Sequence, residues 1–256
     1  MSGTVYLVGA GPGAPDLLTL RAARLLERAD IVFYDALVHA ETVALADNAE
    51  KVAVGKRCGT HSTAQRFINK RLVDAAQCHA VVVRLKGGDP MLFGRAQEEI
   101  GALEQAGIAY EVVPGITAAL AAAAELGTSL TQRGAVRSFA FATPRVGDGE
   151  GETDWTRSIT SADAGAIYMG SREAAAIATR LLDAGKSPSL PVALIENASL
   201  PNSRTVYTTL QGLPHIDPDE FSGPVMVLLG PQFQPRRVET RSVGEVARRA
   251  ALRKTG

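Results

Sequence analysis

The apolar run Val5-Tyr6-Leu7-Val8 passes straight into the turn Gly9-Ala10-Gly11-Pro12-Gly13-Ala14, and this junction constrains the fold more than any other segment. A short run without polar alternation reads as a strand buried on both faces, and such strands belong to parallel sheets covered by helices on each side. The turn fits G-x-G-x-x-G/A with Ala14 in the last place. A second apolar run, Ile31-Val32-Phe33-Tyr34, ends at Asp35, where a dinucleotide site keeps its ribose-binding acid. Pro12 breaks that likeness. It stands where the turn would offer pyrophosphate a backbone N–H, and proline has none.

Strand and helix patterns continue to alternate. Asp16 to Arg28 reads as a helix with a broad apolar face of Leu17, Leu18, Leu20, Ala23, Leu25 and Leu26. Thr63 to Gln77 reads as a helix carrying Phe67, Ile68, Leu72 and Val73 inward. Ala80 to Leu85 is a third buried strand, Arg95 to Gln105 a helix, Tyr110 to Val113 a strand and Thr117 to Leu126 an alanine-rich helix. A glycine-, proline- and charge-rich loop spans Pro144 to Glu152. Around it the pattern changes: Ala166–Met169, Val192–Glu196, Thr205–Thr209 and Val225–Leu229 read as strands, with one clear helix at Arg172–Ala184. Adjacent strands without intervening helices imply a mixed or antiparallel sheet. The expectation is an α/β chain of two α/β domains, residues 1–125 with a mostly parallel sheet and 126–235 with a mixed one. A ligand cleft lies between them, and a basic tail, 236–256, follows.

Composition excludes several classes. With 46% hydrophobic and 21% charged residues the chain is of ordinary globular type, no apolar stretch reaches the length of a membrane span, and no signal-peptide pattern opens it. Cys58 and Cys78 have no paired spacing and no metal-ligand motif, which implies a reduced, cytoplasmic setting, no metal, and structural roles for both. The tail carries a net charge of +5 and the remainder −5. Without interleaved aromatics the tail reads as a solvated terminal segment, so no nucleic-acid or membrane partner is expected.

In doubly covered sheets, ligands bind outside the carboxyl ends of the strands. Five segments fall there: Gly9–Gly13, Asp35, Lys86-Gly87-Gly88-Asp89-Pro90, Pro114-Gly115-Ile116-Thr117-Ala118 and Tyr168-Met169-Gly170. Gly87 and Gly88 let a ligand approach the backbone, and Asp89 can accept hydrogen bonds from ribose hydroxyls. Each feature has a plain alternative. A G-G-D-P stretch is commonly just a turn, Thr117 serves equally as a helix N-cap, and Met169 as core filler. The ordered set is far less ordinary than its members.

That set resembles the tetrapyrrole methyltransferases. The likeness is carried by Val5–Gly13, Val54-Gly55-Lys56-Arg57, Val83-Arg84-Leu85-Lys86-Gly87-Gly88-Asp89-Pro90, Phe93-Gly94-Arg95, Val113–Ala118, Tyr168-Met169-Gly170 and Glu196-Asn197-Ala198, in the family's order over roughly residues 4–230. Gly55-Lys56-Arg57 and His61-Ser62-Thr63 favour the branch that acts on uroporphyrinogen III. The resemblance implies the family's two-domain fold and S-adenosylmethionine as methyl donor, with S-adenosylhomocysteine as product. Carried over by motif, the cofactor contacts are Pro12, Gly87, Gly88, Asp89, Leu92, Thr117, Ala118, Met169 and Ala198. The acceptor would be uroporphyrinogen III, methylated at carbons 2 and 7 to precorrin-2, a precursor of siroheme, cobalamin and haem d1. Asp35 and Lys56 would form the acid–base pair. Arg95, Glu98, Arg133 and Arg57 would meet the tetrapyrrole, the arginines through its carboxylates and Glu98 through pyrrole N–H groups or by orienting Arg95.

Adenosylmethionine has no phosphate, so Pro12 costs it no anion-binding N–H. The chain departs from the family pattern at Ala96-Gln97, Gln132 and Thr143-Pro144-Arg145, at the substrate rim rather than the cofactor contacts. A cytoplasmic homodimer is implied, and a chain opening directly on the methyltransferase strand is expected to carry methyl transfer alone. Another precorrin methyltransferase of the same fold is the alternative within the family. An NAD-dependent oxidoreductase would use the first loop and Asp35 but leaves Gly87–Pro90 and Met169 unexplained. A non-catalytic relative would have no need of Asp35, Lys56 and Gly87–Asp89.

Overall fold

The computed structural model describes residues 2–54, 61–147, 151 and 154–235. Lys56, Arg57, Cys58 and the basic tail lie outside the described residues. The first half runs β1 (Thr4–Gly9), α1 (Leu20–Glu27), β2 (Ile31–Tyr34), α2 (Ala40–Ala44), β3 (Glu50–Ala53), α3 (His61–Cys78), β4 (Val81–Lys86), α4 (Ala96–Gln105) and β5 (Ala109–Val113). All five strands are parallel, in the order β3-β2-β4-β1-β5. Alternate residues feed opposite faces. Val5, Leu7, Phe33 and Val82 pack with Ile68 and Leu72 of α3 and Ile100 and Leu103 of α4. Val8, Val32, Val83 and Leu85 pack with Ala22, Leu25 and Leu26 of α1 and Val43 of α2. Burial on both faces is why these strands read as unbroken apolar runs.

The second half runs α5 (Ala118–Glu125), β6 (Phe139–Ala142), α6 (Trp155–Ser161), β7 (Ala164–Ile167), α7 (Ala174–Asp183), β8 (Pro191–Glu196), β9 (Arg204–Thr209) and β10 (Val225–Leu229). The sheet order is β6-β7-β10-β8-β9, with β6 and β7 parallel and the other pairs antiparallel. This is the mixed sheet expected from adjacent strands. Ile159 of α6 and Ile177 and Leu181 of α7 cover one face, against Ile167, Val192, Leu194, Val225, Val227 and Leu229. Ala119, Ala121 and Ala122 of α5 cover the other, with Ala166, Ile195, Met226, Leu228 and Phe233. Alanines let that helix lie close to the strands.

Several local expectations need correction. The first helix begins at Leu20 rather than Asp16, because Thr19 is extended and its Oγ1 caps the Ala22 N–H at 3.1 Å. Pro15–Leu17 forms a separate 3₁₀ turn, and Leu20 is 76% exposed instead of facing the core. Phe67 is exposed as well: the buried stripe of α3 runs through Ile68, Leu72, Ala75 and Ala76, leaving Phe67 outside it, with the Arg71 guanidinium 5.5 Å from its ring centroid. Cys78 is exposed at the end of α3. The strand expected at Ala166–Met169 ends at Ile167, which frees Tyr168 and Met169 for the site below. The strands β3 and β6, both sheet edges of four residues, were not expected from the sequence. One, Glu-Lys-Val-Ala, opens on two charged residues; the other, Phe-Ala-Phe-Ala, is apolar but only four residues long.

Phe233, 1% exposed, closes the core between α5 and the second sheet. Phe233→Ala should lower unfolding free energy by about 3–5 kcal/mol in chemical denaturation, through lost contacts and the cavity left behind.

Candidate active site at the carboxyl ends of the first sheet

Three loops leave the carboxyl ends of β1, β4 and β5 and meet through glycines. Gly11 and Gly88 exchange backbone hydrogen bonds, Gly88 N to Gly11 O at 2.7 Å and Gly11 N to Gly88 O at 3.2 Å. A Cβ on Gly9 would stand 2.6 Å from the Gly115 Cα, and one on Gly115 would land on the Gly88 carbonyl oxygen. Gly11 and Gly88 have φ of +74° and +68°, open to glycine at little cost. Asp89 fastens the crossing: Oδ1 accepts from Met91 N at 2.8 Å and Oδ2 from Gly115 N at 2.9 Å. Each carboxylate oxygen keeps a second lone pair, so this turn-building role leaves Asp89 able to accept from a ligand too.

The second half closes over this crossing. Thr117 is the N-cap residue of α5, but its side chain makes no cap bond; its hydroxyl lies 2.6 Å from the Tyr168 hydroxyl. Burial of Tyr168 raises its pKa, against the opposing hydrogen bonds to Thr117 and Ala119. The Phe93 ring packs on Tyr168 with centroids 5.0 Å apart. Met169 follows with φ +57° and is 46% exposed, so it is not core filler. Beyond β8, Asn197 and Ser199 adopt φ of +50° and +77° around the buried Ala198. Ser199 Oγ accepts from Ala14 N at 3.0 Å, Ser199 N donates to Glu125 Oε2 at 3.0 Å, and Leu200 packs on Gly13. Left-handed non-glycine residues are costly and gather where a site needs them. Here Phe93, Arg95, Met169, Asn197 and Ser199 all belong to the loops of this region.

Glu196, buried at the end of β8, supports the Asn197–Ser199 turn. Its Oε1 accepts from Ser222 N at 2.6 Å, Gly223 N at 2.7 Å and Ser222 Oγ at 3.2 Å, and its Oε2 pairs with Arg204 Nε at 3.2 Å. Burial alone would raise its pKa; the two backbone amides, the hydroxyl and Arg204 together outweigh it and hold the carboxyl below its usual value.

Beside the crossing lies a buried set of charges that sequence reasoning did not single out. Arg84 and Lys86 stand two apart on β4, on the face covered by α3 and α4, and Glu99 of α4 lies between them. Arg84 Nε donates to Glu99 Oε1 at 3.0 Å, while Lys86 Nζ reaches both Glu99 oxygens at 3.0 Å. Gln65 Nε2 adds a bond to Glu99 Oε1 at 3.2 Å. The Arg84 NH2 group bonds Asp35 Oδ1 at 2.5 Å. Burial alone would lower the pKa of Arg84, but the charges of Asp35 and Glu99 reverse the sign and raise it. Burial and the charge of Arg84 lower that of Lys86. The available signal was two cations at i and i+2 in an otherwise apolar buried strand, which places both on one face.

The remaining expected residues divide. Leu92 is half-buried in the turn after Asp89, donating its N–H to Asp89 O at 3.3 Å. Pro12, Gly87 and Ala118 are half-buried in the loops that meet here. Arg95 and Glu98 form an exposed two-point ion pair at the start of α4, Nε–Oε1 2.6 Å and NH2–Oε2 2.8 Å. Arg133 is exposed in the turn closed by Gln132 and Val136. Among the described residues no His/Cys/Asp/Glu cluster suits a metal ion, and no helix is long and apolar enough to cross a membrane.

Three substitutions test this geometry and its surroundings. Gly115→Ala should destabilise the protein by about 1–3 kcal/mol in thermal unfolding. Gly101→Ala, on an open helix face with nothing within 4 Å of the new Cβ, should raise stability by about 0.5–1 kcal/mol. Glu196→Gln should cost about 1–3 kcal/mol at neutral pH. Because the folded-state value is depressed, this difference should be full above the ordinary glutamate value of 4.5 and fade as pH falls below it, in pH-dependent melting of both proteins.

Comparison with known proteins places this geometry. Residues 4–214 match the family model for tetrapyrrole (corrin/porphyrin) methylases. The chain is 48% identical over 209 residues to siroheme synthase of Psychrobacter sp. (strain PRwf-1), which covers 81% of this chain and 43% of that protein. It is 45% identical over 231 residues to siroheme synthase of Chromobacterium violaceum, covering 90% and 49%. The chain thus spans about half the length of the curated relatives it matches. The native form of uroporphyrin III C-methyl transferase from Thermus thermophilus superposes with a TM-score of 0.79 at 41% identity, over 90% of this chain and 98% of that one. The same Thermus enzyme complexed with S-adenyl homocysteine gives 0.77 at 40%, with the same coverage. On its sequence, its two sheets and the loops that join them, this chain belongs to the tetrapyrrole methylase family.

Proposed function

We propose that this chain transfers methyl groups from S-adenosylmethionine to carbons 2 and 7 of uroporphyrinogen III, giving precorrin-2 by way of precorrin-1. The observation that carries this reading is the character of the cradle at the glycine crossing. It offers carbonyls, small residues and the exposed apolar side chains of Met169, Phe93 and Leu37, and its first loop carries Pro12, which cannot donate to a phosphate. A sulfonium with a methyl group suits such walls; a pyrophosphate does not. The relative complexed with S-adenyl homocysteine supports the same assignment.

When bound, adenosylmethionine supplies an electrophilic methyl group on a sulfur leaving group. Pro12, Gly87, Gly88, Asp89, Leu92, Thr117, Ala118, Met169 and Ala198 are the residues that would hold it. Their contribution to rate is alignment of the acceptor carbon with methyl and sulfur. Asp35 serves as the acid–base group: one oxygen is engaged by Arg84, and the side chain is 29% exposed. It accepts the proton that the macrocycle must lose. Arg95 and Arg133 take the substrate's carboxylates. Glu98 orients Arg95, and their exposed pairing is weak enough for a substrate carboxylate to join or replace it. Lys56 and Arg57 keep the acid–base and carboxylate-binding roles that the family resemblance gives them.

Incubation of the protein with uroporphyrinogen III and isotopically labelled donor, read by mass spectrometry, should show two added methyl groups. None would overturn the reading, and one alone would overturn the double methylation. Adenosylhomocysteine should raise the melting temperature and NAD should not. Asp35→Asn should lower kcat by about 100-fold or more at unchanged adenosylhomocysteine affinity.

A further inference from the structure

Buried ionic clusters stabilise a fold poorly compared with apolar packing of the same volume, so four charged groups converging at the end of a central strand call for a reason. Their arrangement supplies one. Every nitrogen of the Arg84 guanidinium is engaged: Nε by Glu99, NH1 by the carbonyls of Leu85 at 3.2 Å and Phe33 at 3.4 Å, and NH2 by Asp35. Only 2% of that side chain is exposed. Arg84 is therefore a fixed fork, and Asp35 Oδ1 is tied to it. Asp35 Oδ2 has no hydrogen-bond partner among the described residues. The part-exposed carboxylate at the sheet edge is thus held by one oxygen with the other left over.

The set is closed on its far side by Lys86, whose Cε packs 3.2 Å from where a Cβ on Gly94 would stand. Lys86 and Glu99 therefore lie beneath the Phe93-Gly94-Arg95 turn. Within this set Glu99 is the one fully buried anion, so the two buried cations need a second negative charge, and Asp35 provides it. The same carboxylate that faces the cleft completes the charge balance of the buried set.

We propose that Arg84 is a positioning residue for Asp35, and that Glu99 fixes Arg84 in turn, so that Asp35 presents Oδ2 to the substrate in one orientation. The inference rests on the acid–base role of Asp35 proposed above. Arg84 touches neither donor nor acceptor and acts through Asp35 alone. The test is a double-mutant cycle in the full-length protein with Arg84→Lys and Asp35→Asn. Arg84→Lys should lower kcat by about 10- to 100-fold and leave KM for both substrates and the affinity for adenosylhomocysteine within about twofold. In the Asp35→Asn background the same substitution should cost less than about threefold more, since the group it positions is already disabled. Multiplying losses, or a parallel fall in adenosylhomocysteine affinity, would overturn the proposal in favour of a purely structural role.

Should Arg84→Lys not fold, Glu99→Asp takes its place in the cycle, with a smaller loss that likewise vanishes in the Asp35→Asn background. A crystal structure of whichever variant folds gives a readout without turnover. Rotation of the Asp35 carboxylate away from its native orientation supports the proposal, and an unmoved carboxylate overturns it. A wild-type protein that transfers no methyl group would instead overturn the acid–base reading, leaving the orientation of Asp35 to decide the positioning by itself.

Discussion

Backbone approach at Gly9, Gly88 and Gly115 is the constraint on which the rest of the site depends. Three parallel strands deliver their loops to one edge, and loops that meet so closely leave no volume for side chains. Removing those side chains brings Asp89 within reach of Gly115 and sets Thr117 at the head of α5. From there Tyr168 joins Thr117, Phe93 packs on Tyr168, and the part-exposed Met169 follows in the chain. A dinucleotide fold places similar glycines at the same strand end for a different purpose, close approach to a pyrophosphate. Here the glycines chiefly admit one another.

How much of this was legible in the sequence depended on whether a residue's environment is written in its neighbours. Val5–Val8, Ile31–Tyr34 and Val225–Leu229 announced themselves because burial on both faces removes polar residues from the run. Two of the four edge strands, β3 and β6, did not, whereas the edges β5 and β9 did. The glycine-rich turns that meet here were visible from sequence alone, because turn chemistry is local. Arg84, Lys86 and Glu99 were visible only as an oddity, two cations in an apolar strand. Their counter-ion lies on a helix, and only the packing of α4 over β4 brings it there. Tyr168 was visible in the Tyr168-Met169-Gly170 segment, but its hydroxyl's partner was not, because Thr117 lies on another element. Leu20 and Phe67 misled because an apolar residue one step outside a buried stripe looks the same in sequence as one inside it.

The buried charges and the cradle solve opposite problems beside each other. The cradle shows carbonyls, small residues and soft apolar groups, which suit a cationic sulfur without competing for it. The charge set below pairs two cations with two carboxylates, of which Asp35 alone is part-exposed. The exposed cations Arg95 and Arg133 are kept separate from it, at the start of α4 and in the turn closed by Gln132 and Val136. Low net charge overall is compatible with this division, because each sign is confined to its own place.

The helix α5 belongs by sequence to the first half and by packing to the second. Its alanine face is covered by Met226 and Leu228 of β10 and by Phe233, the last apolar anchor of the described chain. During synthesis the first sheet can therefore close once β5 has emerged, while α5 must wait, with its apolar face unpaired, until β10 and Phe233 have left the ribosome. A fragment cut after Glu125 would carry that bare face permanently, and one starting at Leu126 would lack the cover for its own sheet. The covalent order and the folding order of this protein are offset by one helix.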